Sequence, residues 1–471
     1  MTGQGTGLKR DALGTGGIVF LVVSAAAPLT VMVGVAPLAI MLGGIGAPVG
    51  YLVAGAVLCV FAAAFLPMAR QVADAGAFYS YVSRGLGRST GVAAGMSALV
   101  AYNALQIGVF GLFATQAQAT LRDLFGWEVP WPLIAAVAVL AVFALGYRGI
   151  DVGAKVLGVL LVAETGLLVV LAVAVVVGGG ADGLGAGSFT PQAVSTPGMA
   201  GALAICFAAF MGFESTVLYR EEARNPQRTI PRATYLAVTF MAVLYAFIVW
   251  AVVQAFGESE VVNLAGAHTA DLFFLATDRY LGPWASILMR ILIITSVYAT
   301  QLAFHNAVNR YVYSLSRDQV LPRSLGRLHP RHRSPYRAGL LQCALALVVV
   351  LVFAAAGADP YRHLLLWVNT PGVIGVLGLQ VLVAVSAGVF VASGRAGRRS
   401  PAVLATAVLA AALLTTALVL VIAHVDVLTA AGPATNTLLV CVMPVVFLSG
   451  LGLAALSTRR RARTSPSPKT S

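Results

Sequence analysis

Two carboxylates interrupt long apolar runs of this chain. Glu164 breaks the run from Val156 to Val177, and Glu214 follows Phe210-Met211-Gly212-Phe213. Inside a lipid bilayer such a group costs about 3 kcal/mol unless it is paired, protonated or put to use. Glu164 therefore suits uptake and release of a driving proton, or direct binding of a cation. Glu214 suits pairing with an ammonium group or relaying motion in a gate; the plainer alternative is a protonated Glu bonded to a backbone carbonyl. A third polar feature is Ser24-Ala25-Ala26-Ala27-Pro28-Leu29-Thr30. There a proline removes an N–H and clashes with the preceding turn, while the Thr30 hydroxyl could bind an amine, a carboxylate or its own backbone. Tyr102 and Gln106 share a helix face by their i, i+4 spacing. Tyr102 and Phe210, with Phe207 and Phe213 beside them, could wall a solute, with ordinary core packing as the alternative.

The same inventory excludes other chemistry. Four cysteines, Cys59, Cys206, Cys343 and Cys441, are scattered singly, and there is no His/Cys/Asp cluster at metal spacing and no nucleophile elbow. No Gly-Lys-Ser/Thr phosphate loop is present either. We expect no catalytic residues, no metal, no cofactor and no enzymatic activity.

The elements that position these residues are membrane spans. Of 471 residues 59% are hydrophobic and 10% charged, with a mean hydropathy of +0.89. A soluble fold could not hide that much apolar surface. At about 20 residues per crossing, apolar windows predict twelve transmembrane helices near 17–45, 48–68, 90–120, 132–148, 154–178, 198–219, 234–256, 284–309, 338–357, 363–391, 401–424 and 434–456. Residues 1–16 and 457–471 remain as tails. An even number puts both termini on one side. If that side is the cytoplasm, 26 of the 30 Lys and Arg lie there, leaving only Arg122, Arg279, Arg290 and Arg362 outside. That is the bias of the positive-inside rule, and it assigns the charge of +13 to topology at an anionic inner leaflet rather than to nucleic acid. We expect a multi-pass protein of the plasma (inner) membrane with cytoplasmic termini.

Helices 1 and 6, five apart, are interrupted at corresponding places, near Pro28 and near Gly212. Paired interruptions point to a midplane binding site between two inverted repeats, here helices 1–5 (about 17–180) and 6–10 (about 198–391), with helices 11 and 12 (about 401–456) appended.

Several motifs then fall in one order. Asp74-Ala75-Gly76-Ala77-Phe78-Tyr79-Ser80-Tyr81 precedes Arg84 and Gly87, and Glu221-Glu222-Ala223-Arg224-Asn225-Pro226 leads to Ile230-Pro231-Arg232. Asn309-Arg310-Tyr311 leads to Ser316-Arg317-Asp318, Leu321-Pro322 and His329-Pro330. In these the chain resembles the amino acid–polyamine–organocation superfamily of permeases, of the bacterial amino acid permease type, over nearly its whole length. The resemblance implies an all-α integral membrane fold of the leucine-transporter type, two inverted five-helix repeats with helices 1 and 6 discontinuous. It implies a secondary active transporter moving an amino acid or related amine by alternating access and driven by a proton or sodium gradient; a polyamine exchanger and a non-transporting solute sensor are the alternatives.

By the same resemblance the solute sits among Ala26, Ala27, Pro28, Thr30, Tyr102, Gln106, Phe207, Phe210, Gly212, Phe213 and Glu214, with Glu164 at the coupling position. Pro28-Leu29-Thr30 stands where the superfamily is glycine-rich. Tyr79, Arg84, Glu222, Asn225, Pro226, Arg310, Arg317 and Asp318 fall at the cytoplasmic gate or its scaffold.

Overall fold

The computed structural model describes residues 13–71, 77–148, 154–220, 223–330, 334–394 and 400–464. Glu222, the Asp74–Gly76 part of the first motif and residues 1–12 and 465–471 of the expected tails lie outside the described residues; 457–464 continue the last helix.

The chain is helical throughout. Helices α1 (Thr15–Ala26), α2 (Pro28–Gly34) and α3 (Ala36–Gly43) follow one another through single-residue joints at Ala27 and Val35, and a short turn leads into α4 (Ala47–Ala69). Next come α5 (Ala77–Leu86), α6 (Arg88–Phe125), α7 (Trp131–Arg148) and α8 (Ala154–Val177). A glycine-rich crossing carrying α9 (Pro191–Val194) precedes α10 (Met199–Ala208), a 3-10 segment at Phe213–Tyr219 and α11 (Pro226–Phe256). The remainder is α12 (Val261–Ala267), α13 (Leu272–Leu281), α14 (Pro283–Arg317), α15 (Tyr336–Ala355), a π-helix at Pro360–Trp367, α16 (Val368–Ala392), α17 (Pro401–Ala423), α18 (Val425–Thr429) and α19 (Pro433–Thr464).

Among the described residues, eleven helical runs are long and apolar enough to cross a membrane. The segment expected as a sixth span, 198–219, contains only the ten-residue α10 before its helix stops. The reason is local: Gly212 takes φ +107, outside helical geometry, and the chain resumes as 3-10 turns. The exterior is apolar, with Leu340, Leu345, Val348 and Leu351 of α15 and Leu438, Val445 and Leu448 of α19 all exposed. In water such continuous apolar surface would drive association; against hydrocarbon it costs nothing.

At the centre lies α6, whose 38 residues make a rod about 57 Å long at 1.5 Å per residue. It packs against α5, α14, α16, α19 and the π-helix. Small residues allow that approach: a Cβ on Gly111 would stand 2.3 Å from the Pro360 carbonyl oxygen, so the π-helix rests directly on the α6 backbone. Across the bundle, α11 packs on α4, α1 and α8. At the end richest in arginine, the Leu13 carbonyl accepts a 2.8 Å hydrogen bond from the Arg224 N–H. This ties the start of α1 to the chain just past the 3-10 segment.

Candidate functional site

The two interruptions meet in the middle of the bundle. α1 stops because Ala27 adopts a left-handed conformation (φ 46, ψ 80), its N–H still bonding the Val23 carbonyl, and Pro28 starts α2 as its first residue. The fixed φ of proline suits a first helical position and cannot extend the helix before it. Next to this joint is a cavity of about 570 Å³ including its open mouth. Its walls come from α1, α2, α6, α10, α14 and the π-helix with the start of α16. Of the residues expected there, Ala26 and Thr30 line it, joined by Ala25, Met211, Thr300, Phe304, Leu365 and Asn369. The last four went unread in the sequence, where isolated Thr, Asn and Leu in a span carry no signal.

The other expected residues stand around the cavity rather than on its wall. Gln106 and Gln301 clasp α6 to α14 by reciprocal side-chain to backbone bonds of 3.4 and 3.1 Å. Phe207 is buried, Phe210 packs edge-on to Tyr245 at 5.8 Å, and Phe213 packs edge-on to Phe61 at 6.1 Å. Tyr102 lies one turn nearer the Arg88 end of α6 than the cavity, stacked on Tyr311 at 5.6 Å and beside Phe304 at 6.2 Å. Phe304 lines the cavity, and with Tyr102 and Tyr311 packed behind it makes an aromatic floor on that side.

Glu214 sits at the edge of this floor with both oxygens engaged. Its Oε1 accepts from the Tyr102 hydroxyl, and its Oε2 accepts from the Gly212 N–H at 3.1 Å. The carboxylate thus holds the second interruption to α6, a partner 112 residues away in sequence. It lines a smaller pocket of about 240 Å³ beyond the floor, with Phe61, Phe65, Phe78 and Tyr81.

Glu164 is buried on α8. Ser296 of α14 is its polar neighbour, and Ser296 Oγ is 2.9 Å from Thr30 Oγ1. Since Thr30 lines the cavity, this hydroxyl pair lies between the wall and the carboxyl.

At the arginine-rich end, Tyr79, Arg84, Arg317 and Asp318 surround one polar pocket, and the Tyr79 hydroxyl donates to Asp318 Oδ2 at 2.6 Å. Asn225, left-handed at φ 49, precedes Pro226 at the first position of α11. Arg310 is exposed. Arg220, not singled out from the sequence, donates to the carbonyls of Ala69 and Arg70 that end α4. At the opposite end Arg290 pairs with Asp123 at 3.0 Å and Asp271 at 3.9 Å, its guanidinium 4.3 Å from the Phe274 ring centre. No group of three or more His, Cys, Asp or Glu that could hold a metal occurs among the described residues.

A sequence profile of the family described as amino acid permease matches residues 17–464. Among curated relatives, an uncharacterized transporter of Mycobacterium tuberculosis is 27% identical over 67% of this chain and 68% of its own length. The low-affinity putrescine importer PlaP of Escherichia coli is 26% identical over 66% of this chain and 68% of its own. The branched-chain amino acid permease BcaP of Bacillus subtilis is 26% identical, covering 63% and 65%.

Proposed function

The chain belongs to the amino acid permease family, and from that premise we propose that it is a secondary active transporter coupling movement of an amino acid or related amine to a proton through Glu164. The observation that carries this reading is Glu164, a buried carboxyl whose polar neighbour Ser296 is bonded to the cavity-lining Thr30. A solute that shifts Thr30 disturbs Ser296, and Ser296 is a neighbour of the group that would hold the proton. Protonation removes a charge that is costly at this depth, so the loaded and empty states differ in a way a gradient can drive.

The rest of the reading follows the same geometry. Two inverted five-helix repeats, about 17–180 and 198–391, place the joints at Ala27 and Gly212 in equivalent positions, and the helices of about 401–456 are appended. The arginine-rich end faces the cytoplasm, as the positive-inside bias supports. The Tyr102–Phe304–Tyr311 floor and the Tyr79–Asp318 pair then form the barrier on the cytoplasmic side. Ala26, Ala27, Pro28 and Thr30 serve the solute from the first joint, while Glu214 and Gly212 shape the second.

The test is uptake into proteoliposomes with an imposed proton gradient, comparing the native chain with Glu164→Gln. The native chain should accumulate solute as the gradient is raised, and the variant should lose that dependence while still equilibrating solute. Unchanged gradient dependence in the variant removes Glu164 from coupling, and dependence on sodium instead names the other ion. Solute binding without flux in the native chain would make the protein a sensor.

A further inference from the structure

The cavity wall carries a chemical preference that narrows the solute. No Asp, Glu, Lys, Arg or His side chain lines it, and its polar side chains are Thr30, Thr300 and Asn369. Two of these are already engaged: Thr30 with Ser296 at 2.9 Å, and the Thr300 hydroxyl with the Ser296 carbonyl at 3.2 Å. Asn369 is different. Its side-chain amide makes no hydrogen bond among the described residues, with Oδ1 turned into the protein, and an unsatisfied buried acceptor is destabilising. The rest of the wall is apolar, with Val31, Val35, Leu105, Val109, Leu112 and Leu365.

The placement of Asn369 adds to this. It stands two residues past the π-helix, which sits on the glycines of α6: a Cβ on Gly108 would lie 3.1 Å from the Asn369 Cβ. With Val35, Ala208 and Leu365 it lines both the central cavity and a second apolar chamber of about 500 Å³ that reaches Leu428 of α18. These four residues therefore form the waist between the two spaces. π-helical turns within α-helices often mark functional positions, and this one sets Leu365 and Asn369 at that waist.

We infer that the cavity selects a zwitterionic amino acid with a bulky aliphatic side chain over a diamine, and that Asn369 sets this selectivity by turning its free side-chain amide so that the oxygen accepts from the solute ammonium. The inference rests on the reading of this cavity as the transported solute's site. A zwitterion brings its own counter-charge, and its aliphatic part matches the wall. A diamine brings two ammonium groups and no anion, and one of them would face apolar surface with no carboxylate available. The nearest candidates are not on the wall: Glu214 is held by Tyr102 and Gly212, and Glu164 is buried beside Ser296 behind it. Burying an unpaired charge in this way is strongly unfavourable. The curated relatives include both a branched-chain amino acid permease and a putrescine importer, so the alternatives are concrete.

The experiment is leucine counterflow in proteoliposomes with leucine, serine and putrescine as competitors, together with thermal-shift binding of the same three compounds to the purified chain. Leucine should compete and stabilise, serine should do so less well, and putrescine should require at least a tenfold higher concentration, the factor that about 1.4 kcal/mol of lost binding produces. Asn369→Leu should weaken leucine roughly tenfold in KM, reflecting a lost hydrogen bond to a charged donor. Asn369→Asp should let putrescine compete, a gain that a residue with only a packing role would not give. Putrescine matching leucine in the native chain overturns the selectivity while leaving transport intact. Leucine-selective stabilisation without counterflow upholds the selectivity and removes the transport reading. Unchanged KM and selectivity in both Asn369 variants overturns the role of that residue.

Discussion

The joints at Ala27 and at Gly212 both interrupt helices, but they are built by opposite means. The first is made by the backbone alone: a left-handed alanine and a proline that cannot continue the helix, with no side chain reaching across. The second is made by a glycine at φ +107 and a carboxylate that ties the Gly212 N–H to the Tyr102 hydroxyl of α6. Both joints border the cavity, the first through Ala25, Ala26 and Thr30 and the second through Ala209 and Met211. They differ in chemistry: only the second has a side chain, Glu214, taking up its free N–H.

The largest effect should come from taking away the carboxylate. Glu214→Leu leaves the Tyr102 O–H and the Gly212 N–H buried without acceptors, each costing about 1–3 kcal/mol. The purified variant should melt well below the native chain, and an unchanged melting temperature would mean that this joint is not held by Glu214. Gly212→Ala comes next. The nearest atom to an added Cβ is 3.9 Å away, so space is not the issue and the cost is the backbone conformation, about 1–3 kcal/mol; a matched fall in melting temperature and transport rate is expected. The smallest effect is Ala27→Gly. A non-glycine residue in the left-handed region is strained by about 1–2 kcal/mol, and glycine relieves this at a cost in chain entropy of about 0.5–1 kcal/mol. The variant should be neutral or slightly more stable, and a loss as large as that of Gly212→Ala would erase the contrast between the two joints.

Much of this was legible in the sequence because the bilayer makes isolated polarity conspicuous. Pro28, Gly212, Glu164 and Glu214 all stand out against apolar neighbours, and both helix stops occur beside residues so identified. What could not be read was partnership. Thr30 finds Ser296 across 266 residues and Tyr102 finds Glu214 across 112, and hydroxyls are too common in spans to mark such pairs. For the aromatic residues Phe207, Phe210 and Phe213 the sequence leaves both solute wall and core packing open, because rings suit solutes and one another equally; they pack into the bundle. The π-helix was invisible for a different reason. A run of Tyr361, Leu364, Leu365 and Leu366 is as apolar in a wide helix as in an ordinary one, and only the glycines of α6 across from it reveal the closer fit.

The bond between Leu13 and Arg224 has a mechanical consequence. It yokes Leu13, just before α1, to the strip leading into α11, so α1 cannot swing outward by itself. Either that yoke parts first, or both arms travel as one body, carrying the proline-made and carboxylate-made joints through the same stroke.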